Sequence, residues 1–122
     1  MPKEAILKII ALEHKENKIL ATLEINKESE IFIGHFAGHP VLPGACMLQI
    51  IKEVLQEALS LSFQLKKADH IKFLSLIDPQ IHNNVELRLT YQSTKENRVT
   101  ILADCRVQNE TCFKFKGSFI KC

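Results

Sequence analysis

The chain is short of aromatic and strongly charged material. Among 122 residues there is no tryptophan and one tyrosine. No Lys/Arg cluster interleaves with aromatic side chains, so the stacking platform and basic stripe of a nucleic-acid surface are absent, and no nucleic-acid partner is expected. Sixteen Lys and Arg stand against fourteen Asp and Glu, a net charge of +2, with a pI near 8.4. That bias is compatible with an acidic partner but does not demand one. No apolar stretch approaches the ~20 residues that cross a membrane, so no membrane partner is expected. Met1-Pro2-Lys3-Glu4 opens no signal-peptide-like run, and the expected compartment is the cytoplasm. Cys46, Cys105, Cys112 and Cys122 form no C-x-x-C pair and have no His at zinc-finger spacing. Free thiols in a reducing compartment are therefore expected, with no metal site. Internal repeats, low-complexity tracts and linkers are also missing.

What is present fits one globular domain over residues 1–122, with 46% hydrophobic and 25% charged residues. A chain this small leaves much surface exposed and gains from dimerisation. Ala5 to His14 is β-leaning, Lys15-Glu16-Asn17 reads as a turn, and Lys18 to Ile25 as the second arm of a hairpin. From Gly44 the period becomes helical. Met47, Leu48, Ile50, Ile51, Val54, Leu55, Ala58 and Leu59 are apolar, while Gln49, Lys52, Glu53, Gln56 and Glu57 fall on one polar stripe. Strands are then expected over Leu65–Phe73, Val85–Gln92, Val99–Val107 and Thr111–Ile120, with hairpin loops at Thr94-Lys95-Glu96-Asn97 and Gln108-Asn109-Glu110. Two strands, one long buried helix and about four antiparallel strands make an α+β layer architecture.

The chemistry concentrates in Ile33-Gly34-His35-Phe36-Ala37-Gly38-His39-Pro40-Val41-Leu42-Pro43-Gly44, which runs into the helix. His35 titrates near neutrality and can act as a base. Pro43 suits a first helical turn. Gly44 lacks a side chain, so a ligand can approach the amide end of the helix closely. His39 reads as a surface loop residue, and Phe32, Phe36, Met47 and Leu48 as core or pocket wall. Cys46, in the first helical turn, reads as a small apolar residue, although a thiol pKa can fall at such a place.

This stretch and the element order resemble the hotdog fold: a curved antiparallel sheet of about six strands wrapped round one long central helix. More narrowly, they resemble bacterial 3-hydroxyacyl-(acyl-carrier-protein) dehydratases, which carry G-H-F-P-x-x-P-V-x-P-G before that helix. Gly34, His35, Phe36, Pro40, Val41, Pro43 and Gly44 match, and Ala37 stands where Pro is usual. The resemblance implies removal of water from a β-hydroxyacyl thioester, carried on the phosphopantetheine arm of acyl carrier protein, in fatty acid or lipid biosynthesis. It implies no cofactor, and a homodimer, or a higher oligomer of dimers, whose sites are built from two chains. It makes His35 the base and the Gly44 N–H the donor to the thioester carbonyl. Phe36, Val41, Pro43, Gly44 and Ala45 become substrate-binding positions. The acidic position on the helix falls on Gln49, which cannot ionise. Glu53 lies one turn later on the same face and is the candidate substitute. The departure at Gln49 keeps a non-catalytic acyl-binding subunit and an acyl thioesterase open. Lys66, Lys67 and Lys72 form a basic cluster that could meet an acidic carrier or its phosphate, or simply be a solvated face.

Overall fold

The structure, a computed structural model, describes residues 7–26, 44–75, 77 and 83–122. Within these, the elements are β1 (Leu7–Lys15), β2 (Lys18–Ile25), α1 (Gly44–Leu59), β3 (Phe63–Phe73), β4 (Asn84–Ser93), β5 (Arg98–Val107) and β6 (Glu110–Lys121). β2 and the start of α1 lie where the residue pattern puts them. The other strands are longer by one or two residues at most ends, and Lys15 belongs to β1, which leaves Glu16-Asn17 as the turn.

All neighbouring strands pair antiparallel in the order β1-β2-β4-β5-β6-β3. β3 thus follows the helix in sequence yet joins the sheet at the far edge, beside the last strand. Alternation decides which face is buried. In β4, Val85, Leu87 and Leu89 point inward, and in β5 Val99, Ile101, Ala103 and Cys105 do. They meet Met47, Ile50, Ile51, Val54 and Leu55 of α1 in one core. The helix touches β1 and β2 at one edge of the sheet and β3 at the other. Six strands at ~4.8 Å spacing span ~24 Å, whereas a helix is only ~10 Å across. Both edges reach the helix only because the sheet curves around it.

Tight corners hold the strands in register. Gln108 and Asn109 both take left-handed φ, 51° and 66°, the geometry of a two-residue hairpin whose twist matches the flanking strands. Glu110 therefore opens β6 rather than ending the loop. Tyr91 ties the first corner to β4: its hydroxyl donates to the Glu16 carbonyl (3.1 Å) and lies 2.7 Å from His14 Nε2. Where β6 meets β3, Gly117 is needed for close approach. A Cβ there would fall on the Lys67 carbonyl oxygen and the Phe115 ring.

Candidate functional site

α1 carries the described part of the site. It begins at Gly44, and its first turn has no acidic side chain. The amide groups at this end therefore have no carboxylate of their own first turn to meet, and an incoming negative oxygen is favoured there. Gly44 and Ala45 are the first two helical positions. His35, Phe36, Val41 and Pro43 lie outside the described residues, as do Phe32, Ala37 and His39.

The apolar arc of α1 is buried as its period requires, and the polar stripe looks outward. Gln49 and Glu57 are exposed, and Lys52, Glu53 and Gln56 are half-buried. Gln49 and Glu53 are separated by one turn, ~6 Å along the axis. Their surroundings differ. Glu53 lines an open cleft of about 540 Å³ between α1 and β1, together with Leu7, Ile9, Ile50, Gln56 and Glu57. Gln49 is not part of that cleft's wall. Gln56 serves the fold as well as the cleft. Its Oε1 accepts the Phe63 backbone N–H at 2.9 Å, fixing the end of α1 to the start of β3. At these two positions the helix therefore offers an amide (Gln49) facing solvent and a carboxylate (Glu53) in a cleft that Lys8, Gln56 and Glu57 also line. Both can hold a hydroxyl, and only Glu53 can deliver a proton.

Cys46 is half-buried, and burial pushes its thiol above the ordinary 9.0. The direction is that of a desolvated thiol, opposite to the one an activated helix-end thiol would show. All four cysteines are free. Among the described residues no cluster of three His, Cys, Asp or Glu is placed to hold a metal ion, and no helix is long and apolar enough to cross a membrane.

The three lysines after the helix all lie on β3. The strand is bulged at Leu65/Lys67 and Ala68/His70, and its register puts Lys67 and Lys72 on the same face. Lys67 pairs with Asp69 at 3.4 Å, and Lys72 stands opposite Lys114 in register. Two features escaped the sequence pattern because both depend on strand order. β3 is an edge strand whose Leu65, Ile71 and Phe73 are 40%, 43% and 57% exposed. The outward face of the sheet gathers basic residues from five of the six strands.

Comparison with known proteins agrees with this geometry. The dehydratase heterocomplex ApeI:P from Xenorhabdus doucetiae superposes with a TM-score of 0.74 at 20% identity, over 93% of this chain and 96% of that one. A hypothetical thioesterase with coenzyme A from Streptococcus pneumoniae superposes at 0.67 with 9% identity, over 95% of this chain and 85% of that one. The curved six-stranded sheet round one helix is thus the hotdog fold, which hosts both kinds of enzyme. In sequence, a stretch of 41 residues is 42% identical to the 3-hydroxyacyl-(acyl-carrier-protein) dehydratase FabZ of Lactococcus lactis. That match spans 34% of this chain and only 27% of that relative's length. The family model described as ApeI-like, ApeI dehydratase, matches residues 11–116. Within the hotdog class, the chain belongs to the ApeI-like dehydratase family.

Proposed function

We propose that the protein is a hydro-lyase that eliminates water from a 3-hydroxyacyl thioester held on acyl carrier protein, giving the trans-2-enoyl thioester. The observation that carries this reading is the dehydratase-family match over residues 11–116, which takes in both the His35 motif and the polar stripe of α1. His35 removes a proton from the carbon next to the thioester carbonyl. The Gly44 N–H steadies the enolate oxygen that forms. The electron pair becomes the new double bond as the β-carbon–oxygen bond breaks, and the hydroxyl leaves as water once protonated. Gln49 holds that hydroxyl, and Glu53 supplies the proton directly or through a water. Phe36, Val41, Pro43 and Ala45 line the acyl path. The elimination is redox-neutral and calls for no organic cofactor.

The working unit is a homodimer, one hotdog domain per chain, in the cytoplasm. β3 pairs with β6 on one side and with no described strand on the other, and it presents Leu65, Ile71 and Phe73 to solvent. An unpaired apolar edge of this length is a template for a second copy. Substitution of Gln49 for the acidic residue supports one rival, a subunit that binds acyl chains beside an active partner. The ApeI:P neighbour is described as a dehydratase heterocomplex. Thioesterase neighbours such as the S. pneumoniae protein keep hydrolysis as the other rival.

One assay separates them. The purified protein is incubated with a 3-hydroxyacyl carrier-protein thioester, and enoyl product and free thiol are followed together. Enoyl formation that falls ~10²–10⁴-fold in His35→Ala supports the dehydratase. Free thiol without enoyl assigns a thioesterase, and neither product assigns the binding subunit. Full activity in Glu53→Gln removes Glu53 from the chemistry.

A further inference from the structure

The outward face of the sheet, on the side away from α1, holds a trough of about 820 Å³. Its walls are two neighbouring cross-strand rows that run through all six strands. One row is Glu13, Leu20, Arg88, Asp104, Lys114 and Lys72. The other is Lys15, Lys18, Thr90, Leu102, Lys116 and His70. Together the rows carry six Lys or Arg against two carboxylates, a net of +4, while the whole chain carries only sixteen against fourteen. The remaining residues therefore sum to −2, and the positive balance of the molecule sits in this trough. Arg88 is held by Asp104, with Nε–Oδ1 at 3.1 Å and Nη2–Oδ2 at 3.4 Å. The five lysines have no ion pair among the described residues.

The register places Lys15 opposite Lys18, and Lys72 opposite Lys114. Like charges facing across a ladder are unfavourable, and an anionic surface laid over them relieves that repulsion. Between the charged ends, Leu102 is 56% exposed in the middle of the trough, and Leu20 is half-buried on the floor. The cations are spread over ~24 Å instead of converging on one point, so the trough suits an extended acidic surface better than a single phosphate. A second copy would bring the same positive charge.

We propose that this trough docks an acidic α-helix of a protein partner, with an apolar side chain seated on Leu102 and carboxylates reaching the lysines on either side. The proposal stands apart from the dehydratase reading, because a binding measurement tests it without turnover. The probe is a fluorescent amphipathic helical peptide with glutamates flanking a leucine stripe, set against its glutamine counterpart and against vesicles of phosphatidylglycerol in phosphatidylcholine. The glutamate peptide is expected to bind the full chain at least about tenfold more tightly than the glutamine peptide, and to weaken as salt rises. The double variant Lys114→Glu/Lys116→Glu is expected to lose about tenfold in affinity with an unchanged circular dichroism spectrum and melting temperature. Lys15→Glu/Lys18→Glu tests the other end in the same way, should the first variant fold poorly. Equal binding of the two peptides, indifference of a folded variant to charge reversal, or capture by vesicles without capture of the peptide overturns the proposal.

Discussion

β5 and β3 flank β6 from opposite sides and are nearly equal in length, 10 and 11 residues, yet they live in different environments. β5 alternates strictly, with Val99, Ile101, Ala103, Cys105 and Val107 inward. In β3 only Phe63 is buried. Local β-forming tendency does not explain the difference, since β3 also contains Leu65, Ile71 and Phe73. What separates them is cover. β5 has a strand on each side and the apolar face of α1 above it, whereas β3 has one neighbouring strand and leaves Leu65, Ile71 and Phe73 exposed. Alternation in a strand thus reports a second layer, and its loss in β3 marks a strand without one among the described residues.

The contrast breaks most sharply under truncation. Ile101→Ala removes a side chain that is 1% exposed and is expected to cost about 2–5 kcal/mol in urea unfolding. Ile71→Ala, at 43% exposure, is expected to cost about 0.5 kcal/mol or less in dilute protein. Equal losses would mean that β3 is covered within the single chain.

Titration sharpens the same point at intermediate size. Burial, helped by the charges of Asp104 and Cys112, pushes the Cys105 thiol of β5 well above its ordinary 9.0. The fold keeps a proton that the unfolded chain releases, so this contribution to stability is whole below pH 9 and is lost as the pH rises beyond it. The slope attributable to Cys105 approaches about 1.4 kcal/mol per pH unit. Urea midpoints at pH 8 and pH 10 should converge in Cys105→Ser relative to the parent. An undiminished pH dependence would place the titrating group elsewhere. A more local effect concerns the anchored end of β3. Gln56→Ala removes the acceptor for the Phe63 N–H and is expected to cost about 0.5–1.5 kcal/mol. Hydrogen exchange at Phe63 should quicken while that of β5 stays unchanged.

Most elements were legible because their periods are clean. The apolar arc from Met47 to Leu59 marked α1, and Val85-Leu87-Leu89 against Glu86-Arg88-Thr90 marked both β4 and its buried face. Strand order was not legible. That β3 crosses to the edge beside β6 depends on pairings far apart in sequence, such as Phe63 with Lys121. The bulges of β3 were not legible either, although they bring Lys67 and Lys72, five residues apart, onto one face of the sheet. Lysines distant in sequence were gathered into one trough. At the candidate site, spacing put Gln49 and Glu53 one turn apart on one side of the helix. It could not foresee that Glu53, and not Gln49, would border the cleft against β1.

The sheet order also sets a timetable for synthesis. β3 ends at Phe73, but its neighbour β6 runs from Glu110 to Lys121. At roughly 5–20 residues per second on the ribosome, β3 waits roughly 2–10 s for its partner. During that interval its apolar edge is a hazard, and a nascent chain stalled before β6 should be a client for chaperones.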